Sequence, residues 1–101
     1  MLSEKTLEAR LREILDEMDA AADDAADDDA ESLEELNAEF EDALFMLREI
    51  KPEEMAAELP EALEEFQALA NDYRQLTARV PSIASAAERL TRLILLAVEN
   101  M

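Results

Sequence analysis

The chain contains no cysteine, histidine, glycine or tryptophan. Without cysteine there is no disulfide, thiol nucleophile or thiolate metal site, and without histidine the usual neutral-pH general base and metal-binding imidazole are missing as well. Without glycine, the tight positive-φ turns that β-hairpins favour have no natural occupant. Aromatic residues stop at Phe40, Phe45, Phe66 and Tyr73. The longest uninterrupted apolar run, Leu93 to Val98, is far too short to cross a bilayer. The opening Met1-Leu2-Ser3-Glu4-Lys5 has an acid where a signal peptide needs a basic and then an apolar region. A cytoplasmic protein with no membrane association is the expectation.

Cations are scarce too, with nine Lys and Arg against 27 Asp and Glu and a net charge of −18. Fifteen of those acids fall between Glu13 and Leu47, a stretch with no Lys or Arg, so the rest of the chain carries only −3. The acidity is regional, and a block that repels itself calls for neutralisation from outside it.

What remains is rich in Leu, Ala, Glu and Arg, the composition of helices. At 101 residues there is room for a single acidic helical domain, 1–101, with a modest core that dimerisation would help to complete.

Leu7, Leu11, Ile14, Met18, Ala21 and Ala25 recur at alternating spacings of four and three, which places them on one face of a first helix with Ser3 as its N-cap. Aspartate is a poor helix former and is unfavourable near a helix C-terminus, so residues 23–31 should fray or loop. Ser32 with Glu35 has the form of a capping box that opens a second helix, with Leu33, Leu36, Phe40, Ala43, Leu44 and Leu47 inside and Lys51-Pro52 as its stop. A third stripe runs through Leu59, Leu63, Phe66, Leu69, Tyr73, Leu76 and Val80. Pro60 interrupts it, which predicts a short helix over 52–58, a kink or break, and then a long helix. Pro81-Ser82 opens the last helix, with Ile83, Ala87, Leu90, Ile94, Ala97 and Met101 inside. The expected fold is all-α, an up-down bundle of about four helices with short connections.

Two places are more apolar than an amphipathic helix needs. Phe45 and Met46 project away from the inner stripe of the second helix, among Glu34, Glu35, Glu41, Asp42 and Glu49. Leu95 and Leu96 flank the polar face of the last helix and widen its apolar arc past half the circumference. Either the third helix and the N-terminal arm cover these side chains within the monomer, or they meet a second copy or a partner helix.

Catalysis finds little support. The few Ser and Thr residues look like caps, di-iron bundle sites require histidine, and calcium loops require alternating oxygen ligands around a glycine. Glu13-x-x-Asp16, Glu31-x-x-Glu34, Glu39-x-x-Asp42 and Glu61-x-x-Glu64 each put two acids on one helical face, as all-α magnesium-dependent nucleotide pyrophosphohydrolases do. The doubled Glu-Glu-x-x-Glu form of that arrangement is absent, and so many acids produce such pairs by chance. Direct nucleic-acid binding needs clustered cations, which are missing.

The leading expectation is a non-catalytic interaction protein, adaptor or chaperone-like, without cofactor or metal and prone to homo-oligomerise. It would bind a protein partner through Phe45, Met46, Leu95 and Leu96, with Asp23, Asp24, Asp27, Asp28, Asp29, Glu35, Glu41 and Asp42 as an acidic rim. The alternative is an acidic decoy or immunity-type inhibitor that occupies the groove of a basic, nucleic-acid-acting protein. A magnesium-dependent carboxylate enzyme acting on nucleotides is the remote third.

Overall fold

The computed structural model describes residues 4–99, so the expected roles of Ser3 as a cap and Met101 in the last stripe lie outside the described residues. Four helices form, α1 (Glu4–Asp24), α2 (Asp27–Glu49), α3 (Met55–Leu76) and α4 (Ala84–Glu99), with single 3-10 turns at Pro52–Glu54 and Pro81–Ile83 leading into α3 and α4. Among the described residues there is no strand. Each helix packs on its neighbour in sequence and α4 closes on α1, giving an up-down ring of four inside an envelope of 43 × 22 × 18 Å. The all-α bundle anticipated from composition and periodicity is the fold observed.

The break between α1 and α2 falls at Ala25–Ala26, within the stretch expected to loop. The start of α2 differs from the Ser32 capping box. The helix begins six residues earlier, with Ala26 in the N-cap position, and the Ser32 hydroxyl donates to the Asp28 carbonyl at 3.2 Å from within it. The macrodipole supplies the reason. Had α1 continued, Asp27, Asp28 and Asp29 would crowd its negative end; with a turn just before them they occupy the first turn of α2, at its positive end. No side chain caps that end, and the Ala26 carbonyl accepts from the Ala30 amide at 2.6 Å.

Pro60 is a second correction. The expected break is absent, and α3 runs from Met55 through Pro60 to Leu76. The proline removes the bond to the Ala56 carbonyl, but it sits in the second turn and both residues are exposed, so water can satisfy that oxygen. The stop at Lys51-Pro52 is as expected, because a residue before proline is pushed out of the α region: Lys51 lies at φ −76°, ψ 149°. The third helix ends short of the expected stripe, at Leu76, with a turn over 77–79, and Val80, before Pro81, lies outside any helix at φ −127°, ψ 77°.

The core gathers the predicted stripes, with substitutions at their edges. Leu15 and Ala22 are buried in α1, whereas Ala21 and Ala25 are only partly covered. Leu36 and Leu59 are also partly covered, while Ala70, Ala86 and Leu93 go inside. At the centre Phe40 meets Phe66 edge to face, ring centroids 5.6 Å apart, and Tyr73 at 6.2 Å. One polar residue, Asn37, is buried in this setting. Its Oδ1 accepts from the Tyr73 hydroxyl at 2.7 Å, and its Nδ2 donates to Asp19 Oδ1 at 3.0 Å. The chain of bonds thus ties α1, α2 and α3 together. Burial, and then the charges of Asp19 and Glu39, push the Tyr73 phenol far above its ordinary range, so it stays a donor.

Two outcomes follow from this architecture. Pro60→Ala should restore the missing bond and stabilise the protein by roughly 1–3 kcal/mol, read as a higher urea midpoint at unchanged slope. An unchanged midpoint would mean that the second turn of α3 contributes nothing to stability. Tyr73→Phe should leave Asn37 Oδ1 without its donor inside the core and cost about 1–3 kcal/mol, measurable as a lowered Tm.

Candidate docking surface

Exposed large apolar side chains collect at one end of the bundle. Phe45 is 59% exposed, Met46 57%, Leu95 52%, Val98 44% and Leu96 40%, and all five lie in the last turns of α2 and α4. In an up-down ring these turns end at the same end of the molecule. The third helix therefore leaves both pairs uncovered, in contrast to the monomer-internal cover considered from sequence. Val98 was not singled out, although it extends the same apolar run.

The five do not form one patch. α2 and α4 are diagonal in the ring, and Met46 lines a groove between α2 and α3 while Leu96 lines one between α1 and α4, on opposite sides. Asp23, Asp24, Asp27, Asp28 and Asp29 flank the α1–α2 turn at the other end of the bundle. From Asp28 to Phe45 is about 25 Å along α2 at about 1.5 Å per residue. The acidic rim drawn from sequence is thus split: the five aspartates are remote from the apolar turns, Glu35 lies partway along α2, and Glu41 and Asp42 stand beside Phe45.

Other acids take the place of the aspartates. The α2–α3 groove, about 160 Å³, has Met46, Ile50 and Ala62 as its apolar lining and Glu58, Glu61 and Glu65 along it, with no cation. None of the three glutamates belongs to an ion pair in the described structure. Glu58, Glu61 and Glu65 repeat at three and four, which puts them on one flank of α3; that spacing was readable in the sequence, but the neighbourhood of Met46 was not. The block 13–47 also stays mostly uncompensated. Of its fifteen acids only Glu17, with Arg89, and Asp29, with Arg79 at 2.8 Å, pair with arginine. The remaining pairs, Arg48 with Glu8 at 3.0 Å and Arg92 with Glu88 at 2.6 Å, use acids outside it.

Elsewhere the chemistry is sparse. A larger open groove of about 800 Å³ between α3 and α4 is lined by polar side chains including Asn71, Arg74, Gln75 and Thr91. Its two threonines are turned to their own helices, Thr77 donating to the Arg74 carbonyl and Thr91 to the Ala87 carbonyl. Among the described residues no group of three or more acids converges as a metal site, and no helix is long and apolar enough to cross a membrane. Comparison with protein-family models, curated proteins and solved structures gives no match.

Within the block, the carboxyl of Asp19, which bonds Asn37 of α2, holds its proton more tightly than an ordinary aspartate. Desolvation by partial burial raises its pKa above the ordinary 3.8, and the charges of Glu41, Asp16 and Asp23 push the same way, against the Asn37 hydrogen bond. A carboxyl with a raised folded pKa holds its proton more tightly in the folded than in the unfolded chain. Its ionisation therefore destabilises the fold at neutral pH, and that loss is recovered as pH falls through the raised value towards 3.8. Asp19→Asn keeps an acceptor for Asn37 and removes the charge. It should raise Tm at pH 7 by an amount equivalent to on the order of a few tenths of a kcal/mol, since the residue is exposed, with the gain closing by about pH 4. A gain independent of pH would assign it to packing instead of charge.

Proposed function

We propose that this is a non-catalytic docking protein, adaptor or chaperone-like, whose α2–α3 face holds a basic amphipathic helix of a protein partner. The observation that carries this reading is the α2–α3 groove itself, with Met46, Ile50 and Ala62 lining it and Glu58, Glu61 and Glu65 beside it without a cation. A helix with apolar residues every three or four positions and Lys or Arg on the flanks complements both features. Phe45 is not part of this lining: Arg48, three residues on along the same flank of α2, pairs with Glu8 of α1, so Phe45 lies towards the α1 side.

Magnitudes assign the parts their roles. Full burial of a Met side chain stabilises by about 1.5–3 kcal/mol, so covering the exposed half of Met46 would contribute on the order of 1–2 kcal/mol. An exposed ion pair at the rim is worth about 0.2–1 kcal/mol. Met46 anchors; the glutamates select a basic partner and speed its approach.

A second reading is favoured by one observation, the Asp23–Asp29 turn with only Asp29 paired. There the aspartates imitate a run of phosphates and occupy a basic groove, as an acidic inhibitor would.

One titration separates the two. A synthetic helical peptide with leucines at i, i+3, i+4 and i+7 and lysines on either flank is added to isotope-labelled protein and followed by amide NMR shifts. Docking predicts shifts at Met46, Ile50 and Ala62, at least a tenfold weaker complex for Met46→Glu, and binding that persists in half-molar salt. Shifts confined to residues 23–29, abolished by salt and unaffected by Met46→Glu, would sink the docking reading in favour of the decoy.

A further inference from the structure

The α1–α4 groove, on the opposite side of the ring, has the opposite charge. Of about 280 Å³, it has Ile14, Leu93 and Leu96 as its apolar lining and three arginines, Arg10, Arg89 and Arg92, against the single acid Glu13. In a chain of net charge −18 this concentration of arginine around apolar side chains is exceptional. Arg89 is engaged by Glu17 and Arg92 by Glu88, while Arg10 belongs to no ion pair in the described structure. Exposed pairs of this kind are weak and can exchange partners.

Each groove therefore has what the other lacks. One presents glutamates beside Met46, the other arginines beside Leu96, and both lie in the half of the bundle where α1 and α3 begin. We infer that the α1–α4 groove is a docking site for a second copy of this chain, received through that copy's α2–α3 face, so that the protein self-associates head to tail.

The geometry sets the form of the assembly. The two faces are different surfaces on opposite sides of one ring, so the contact is heterologous, and a pair formed this way still offers one free face of each kind. Growth then continues in a line, with copies side by side. The overall charge opposes it at long range, but at about 0.15 M salt the screening length is about 8 Å, so contact pairs act while distant acids are screened. This inference rests on the reading of the α2–α3 face as a docking surface, and its test is independent of the peptide titration.

The test is sedimentation equilibrium at about 0.15 M salt. Wild type should show a weight-average mass that rises with concentration past the dimer. Met46→Glu, which blocks the α2–α3 face, and Leu96→Glu, which blocks the α1–α4 face, should each be monomeric when alone. Mixed in equal amounts, they should form a 1:1 heterodimer that grows no further, because one good face of each kind remains. Circular dichroism melts establish that both variants are folded, and Arg10→Glu replaces Leu96→Glu if the latter is not. A mixture that stays monomeric, a wild type that stops at a symmetric dimer, or a wild type that remains monomeric at several hundred micromolar would each overturn the inference. If the wild type is monomeric while the basic peptide still shifts Met46 and Ala62, self-association fails and the docking face stands.

Discussion

Three helices of this bundle are held in register by one buried amide. Asn37 accepts from Tyr73 on α3 and donates to Asp19 on α1, at 2.7 and 3.0 Å. Apolar contacts between Leu- and Ala-rich helices tolerate sliding, since one leucine ridge fits the next groove almost as well. A hydrogen-bonded amide does not, because a slip by one turn would leave buried polar atoms unpaired; among the described residues no buried side-chain nitrogen or oxygen lacks a partner. The position of Met46 opposite Ala62, across the α2–α3 seam, follows from that register.

Most of the fold could be read from spacing, and the misreadings have definite causes. Apolar residues at three and four identify all four helices, and Lys51-Pro52 and Val80-Pro81 mark two connections because proline constrains the residue before it. The start of α2 was misread because Ser32 and Glu35 satisfy a local pattern, while the energy that decides the boundary belongs to Asp27, Asp28 and Asp29 at the helix dipole. Pro60 was misread because its penalty depends on exposure, which spacing does not reveal. Asn37 stands at the four-three spacing of Leu33, Phe40, Leu44 and Leu47, which by position places it inside, while its partners Tyr73 and Asp19 lie on other helices, where spacing does not reach. For the candidate site, outward-facing Phe45, Met46, Leu95 and Leu96 were legible from helical angles. Their separation onto two sides, and the distance of the aspartates from them, depend on which helices are diagonal, a property of tertiary arrangement.

Charge and apolar surface are sorted along the long axis. The turn at Ala25–Ala26 carries aspartates, the far end carries exposed Phe, Met, Leu and Val, and a length of 43 Å spans several screening lengths at physiological salt. The two ends therefore act on other molecules almost independently. A partner attracted by the acids gains nothing from the apolar turns unless it is long enough to reach them. The α2–α3 groove escapes this division because α3 supplies its own glutamates next to Met46.

The sequential ring also shapes how the molecule assembles itself. Three of its four seams join helices adjacent in the chain through short connections, and only the α4–α1 seam joins elements far apart in sequence. Such low contact order belongs to chains that fold in microseconds to milliseconds, with neighbouring hairpins free to form before the ring closes. The α4–α1 closure carries the largest loop entropy, and it is less extensive than any of the three sequential seams. The groove lined by Arg10, Arg92 and Leu96 lies on that seam, at the boundary between the first and last elements of the ring.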